Sequence, residues 1–75
     1  MKEYEIVAKF YNACGGAAHP QTRFEEAELN HPDEYIRKKH ERDFQKFTVE
    51  FVNEQIVYTF DTGGVKYVYE FTELS

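Results

Sequence analysis

The sequence predicts an α+β domain: one short helix packed on a curved antiparallel sheet, in the order β-β-α-β-β-β. Three observations carry this expectation. Aromatic and β-branched residues recur at alternate positions in three consecutive runs over 47–51, 56–60 and 67–71. A first alternating segment opens the chain. Between them lies a stretch led by Pro32, with acids in its first turn and bases in its last, the charge order a helix dipole favours.

Residues 3–12 alternate cleanly. Tyr4, Ile6, Ala8 and Phe10 share one face, and Glu5, Val7, Lys9 and Tyr11 share the other, as in a half-buried strand. Residues 13–21 contain Gly15, Gly16, Pro20 and small side chains, which read as a loop. With little to bury, this loop is expected to be the most mobile internal segment.

Residues 22–29 have good helix propensity, yet Ala27 and Leu29 alternate with Glu26 and Glu28. A strand paired with the first is preferred. Phe24 then falls in the wrong phase and needs a bulge or an exposed ring. A helix over 32–42 follows, with Pro32 at its first position, Asn30 or His31 as cap, and Asn30 the better acceptor. Tyr35 and Ile36 face the sheet, and Phe44 or Phe47 closes the far end. Turns at 52–55 and 61–64 separate the last three strands, the second containing Gly63-Gly64. The expected core is Ile6, Phe10, Ile36, Val49, Phe51, Phe60, Tyr69 and Phe71.

With 75 residues, 41% hydrophobic and 31% charged, the chain has the composition of one globular domain, 1–75. At this length roughly 60% of the unfolded surface is buried on folding, and six tyrosines with seven phenylalanines supply much of it. No apolar run approaches a membrane span, and the first residues lack the apolar stretch of a signal peptide. Cys14 is the single cysteine, so no intrachain disulfide forms, and a cytoplasmic location is expected.

Fourteen acidic against nine basic side chains give a net charge of −5. That disfavours a protein built to grip phosphate backbones and favours a protein partner with a basic surface. Glu25, Glu26 and Glu28, followed by Asp33 and Glu34, form the candidate protein-binding cluster. Solvated carboxylates on an edge strand also guard it against aggregation. One helix cannot cover both faces of five strands. The sheet therefore curls on itself, dimerises or leaves one face to solvent, and the second face, with Val7, Tyr11, Val57 and Val68, is the candidate contact surface for a partner or for a second copy in a homodimer.

Arg37, Lys38, Lys39 and Arg42 form the alternative, a nucleic-acid contact aided by the sheet tyrosines, although the helix dipole already accounts for their sign. Cys14 before Gly15-Gly16, with His19 nearby, is the further alternative of a thiol-dependent enzyme; its spacing matches no nucleophile motif. The three histidines and Cys14 lack zinc-site spacing, and no phosphate-binding glycine pattern occurs, so no metal or cofactor is expected.

In layout the chain resembles small phage-encoded anti-CRISPR inhibitors. The shared features are the strand over Lys2-Glu3-Tyr4-Glu5-Ile6-Val7-Ala8-Lys9, a loop, a Glu-rich strand, one helix and a three-stranded meander. The resemblance spans the chain in topology and rests on no motif, so no binding residue carries over. It implies a non-enzymatic inhibitor that occupies a surface of a nuclease complex.

Overall fold

The computed structural model describes residues 1–12 and 21–74; of the loop expected over 13–21, residues 13–20, with Cys14 and His19, lie outside the described residues, and Gln21 already belongs to a strand. The elements are β1 (Lys2–Asn12), β2 (Gln21–Leu29), α1 (Asp33–Lys39), a 3₁₀ turn (Phe44–Lys46), β3 (Thr48–Val52), β4 (Gln55–Thr62) and β5 (Val65–Glu73). All neighbours pair antiparallel, in the spatial order β2-β1-β5-β4-β3.

The α+β class is overturned. Strand takes 64% of the described residues and helix 15%, so the structure is mostly β, with a single α-helix among the described residues. The helix stops three residues short of the expected end. At His40 the backbone leaves helical geometry, with φ −133° and ψ 59°, while its N–H still donates to the Ile36 carbonyl. The imidazole is the reason: it enters an aromatic cluster with Phe47, Tyr67 and Tyr69, at ring distances of 5.1, 4.8 and 5.5 Å. Charge order cannot reveal such a preference. The start differs too. Asn30 does not cap the helix; Nδ1 of His31 accepts the Asp33 N–H at 3.1 Å.

Residues 21–29 are strand throughout, without a bulge, since Val7 pairs with Phe24 in unbroken register. The Phe24 ring is accordingly 73% exposed. Both hairpin turns of the meander have two residues. Asn53 and Glu54 take positive φ at the first, and Gly63 at the second (φ 62°), where glycine avoids the Cβ penalty.

At ~1.5 Å per residue, α1 is about 10 Å long and covers only the middle of one sheet face. There its own Ile36 and Tyr35 meet the sheet's Ile6, Tyr58 and Phe71, with Tyr4, Leu29, Phe60 and Tyr69 around them, all buried. Rings meet edge to face: Tyr35 on Phe71 at 5.5 Å and Tyr58 on Phe71 at 5.4 Å, the arrangement aromatic quadrupoles favour. Two expected core residues are not in it. Val49 is 48% and Phe51 80% exposed, because β3 is an outer strand beyond the helix. Phe10 is only half-buried.

Two expectations follow. Phe71→Ala should cost ~3–5 kcal/mol by urea denaturation, as for a truncated core ring, whereas Phe51→Ala should stay within about 0.5 kcal/mol, as at an exposed site. Burial holds the His40 pKa below its ordinary 6.5, with Asp43 opposing the shift and Lys39 adding to it. The unfolded chain therefore binds the proton more readily. The stability from neutral His40 is complete above about pH 6.5 and declines as pH falls through the folded value. A melting series from pH 7.5 downward, compared with His40→Gln, should show the wild type losing stability faster.

Candidate functional site

Antiparallel register sorts every strand side chain onto the helix side or the open side. On the helix side, Ile6 is opposite Glu25 and Phe71, and Ala8 is opposite Arg23 and Tyr69. On the open side, one row runs Phe24, Val7, Glu70, Val57, Glu50, and a second runs Thr22, Lys9, Val68, Thr59, Thr48.

This sorting splits the acidic cluster read from the sequence. Glu25 points under the helix and accepts the Tyr35 hydroxyl at 2.9 Å, with Lys39 at 3.7 Å. Asp33, from the helix, accepts the hydroxyl of Tyr58. Both carboxylates are structural acceptors. Burial first, and then these carboxylates, raise the Tyr35 and Tyr58 pKa values well beyond the ordinary phenol range, so both hydroxyls remain donors. Glu34 is exposed on the helix, apart from the open face.

Only Glu26 and Glu28 of the cluster reach the open side. There the register sets Glu26 directly opposite Glu5, and Glu28 directly opposite Glu3. Glu3 and Glu5 were not singled out from the sequence. The signal was present in the alternation of β1, but only the hairpin register places them against β2. All four carboxylates are exposed, and among the described residues none has a basic side chain within ion-pairing distance. Like charges directly opposite across a ladder are destabilising. Phe24 stands beside Glu26 on the same face. A shallow hollow of about 250 Å³ is lined by Glu5, Phe24, Glu25 and Glu26.

The rest of the open face is milder. Val57 and Val68 are half-buried, as is Val7. Among them lies the Lys9–Glu70 ion pair at 3.2 Å, which neutralises the middle of the surface. Tyr11 is exposed at one end, with the Lys66 ammonium 6.0 Å from its ring centre.

The basic run is partly occupied within the fold. The Arg37 guanidinium lies 4.5 Å from the centre of the Phe44 ring, and Lys39 reaches both Glu25 and the Tyr35 ring. Lys38 and Arg42 flank a shallow groove with Glu41 and Gln45. The sheet tyrosines expected to aid them, Tyr67 and Tyr69, sit on the helix side against His40. A further hollow of about 230 Å³ opens where the small Ala8 leaves space between Arg23 and Tyr69. No metal-holding group of acidic, histidine or cysteine side chains occurs among the described residues, and no helix there is long and apolar enough to cross a membrane. No family model, curated protein or solved structure matches the chain.

The opposed carboxylates carry a stability test. Glu26→Lys replaces a repulsive cross-strand pair with an attractive one. The free protein should become more stable by ~0.5–1 kcal/mol, measured by urea denaturation at low salt, and the gain should shrink as salt is added.

Proposed function

We propose that the protein is a small acidic, non-enzymatic protein-binding module whose open face at β1 and β2 receives a basic side chain from a partner protein. The observation that carries this reading is the pairing of Glu5 with Glu26, and of Glu3 with Glu28, beside an exposed Phe24. Four carboxylates in two opposed pairs, without a basic partner among the described residues, cost stability, and an exposed ring beside them adds nothing to the core. Both features suit an arginine: its guanidinium binds carboxylates in a fork, and its planar group stacks on an aromatic face. Val7, Val57 and Val68 would widen the contact around this anchor.

A foreign partner fits this face better than a second copy. Two copies placed face to face would bring eight like charges together, a strongly unfavourable arrangement. The resemblance to phage-encoded inhibitors gives the reading its biological form: a cytoplasmic inhibitor that covers a basic surface of a nuclease complex. That step is an analogy of layout. Nucleic acid as the ligand is opposed by the same carboxylates and by the internal engagement of Arg37 and Lys39.

A backbone-amide NMR titration with an arginine-rich peptide tests the proposal. Shifts should concentrate at Glu5, Phe24 and Glu26, weaken as salt is added, and fall sharply in the Glu5→Gln/Glu26→Gln variant, with Lys38→Gln unchanged. Duplex DNA should produce none of them. Absence of peptide-induced shifts on β1 and β2, or shifts by DNA centred on the helix, would reject the reading.

A further inference from the structure

Among the described residues β3 is hydrogen-bonded on one side only, to β4. The turn between them has two residues, Asn53 and Glu54, at φ 49° and 65°, as a type I′ hairpin requires. In such a hairpin the residues flanking the turn, Val52 and Gln55, exchange both backbone hydrogen bonds, and bonded pairs alternate from there. Thr48, Glu50 and Val52 therefore use their backbone groups on β4. Val49 and Phe51 direct theirs outward, and neither backbone has another partner among the described residues. The next ladder agrees: counted from the Thr62–Val65 turn pair, Ile56, Tyr58 and Phe60 bond to β5, which leaves Gln55, Val57 and Thr59 for β3. The same two residues, Val49 and Phe51, carry exposed apolar side chains on the helix side of the sheet.

We propose that this edge pairs with β3 of a second copy, the strands antiparallel about a two-fold axis at Glu50. Self-complementarity selects that occupant. With the axis there, Val49 falls opposite the second copy's Phe51, and Phe51 opposite the second copy's Val49. Both are hydrogen-bonded pairs, so four backbone bonds form, and each ring packs on a valine across the ladder. The interface is closed, and the result is a ten-stranded sheet with β2 at each outer edge. Head-to-tail joining of β3 to β2 would instead propagate without end, and Arg23, Glu26 and Glu28 on β2 oppose it as edge charges do. On the open side, Glu50 meets its own copy, which keeps the association weak.

Sedimentation equilibrium over a concentration series tests this, with circular dichroism to verify folding; Phe51 lies outside the core, so its variants should fold. A reversible monomer–dimer equilibrium is expected. Phe51→Lys should abolish it, and Glu50→Thr should tighten it about fivefold by removing the like-charge pair. Exchange of the Val49 and Phe51 amides should slow as the dimer forms. The proposal is overturned if the wild type and Glu50→Thr both remain monomeric, or if a dimer survives Phe51→Lys. It is equally overturned if Phe24→Lys, on the opposite edge, abolishes association.

Discussion

Three hydrogen bonds that involve tyrosine hydroxyls join the helical layer to the sheet, and the rest of the structure depends on them. Tyr35 of α1 donates to Glu25 of β2, Tyr58 of β4 donates to Asp33 of α1, and His40 beyond the helix bonds Tyr69 of β5 at 2.6 Å. A seven-residue helix has no stability of its own in water. It persists because Ile36 and Tyr35 are buried and because these bonds hold both of its ends at fixed places on the sheet. They also answer the hazard of building a core from tyrosine. A buried hydroxyl without a partner costs ~1–3 kcal/mol, and no buried side-chain polar atom among the described residues lacks one.

That construction decides which carboxylates remain for other tasks. Glu25 and Asp33 are engaged as acceptors inside the fold. Glu3, Glu5, Glu26 and Glu28 lie on the far face in opposed pairs, an arrangement that works against folding stability. Proteins that break local rules of charge pairing commonly do so where they act. This contrast between satisfied and unsatisfied acids separates the binding reading from mere acidity.

The short helix has a second consequence. Because it spans only the centre of one sheet face, the outer strand β3 receives no cover, and Val49 and Phe51 are left on an open edge. Natural sheets blunt such edges with charge and brevity. β3 has both, in its five residues and in Glu50, yet it keeps an exposed aromatic ring. The outward backbone groups of the same two residues make that edge directional, with a defined register.

By itself the sequence determined the alternation of the strands, their inward and outward phases, and that a helix lies between the second and third of them. These follow from local periodicity: Tyr4, Ile6 and Ala8 alternate with Glu5, Val7 and Lys9 whatever they pair with. It also marked Phe24 as out of phase, and the ring is indeed exposed. The tertiary structure alone decided the rest. The helix ended at Lys39 because His40 found aromatic partners on β5, which no charge pattern encodes, and the five strands outweigh it whatever its exact end. Val49 and Phe51 have the same alternation as Tyr58 and Phe60, yet lie outside the core, since strand order and not periodicity sets which strand is at the edge. Glu3 and Glu5 joined the site, and Glu25, Asp33 and Glu34 left it, because strand register and the helix position choose which carboxylates meet on one face. Each of these outcomes depends on contacts between residues far apart in the chain, and those exist only once the sheet has formed.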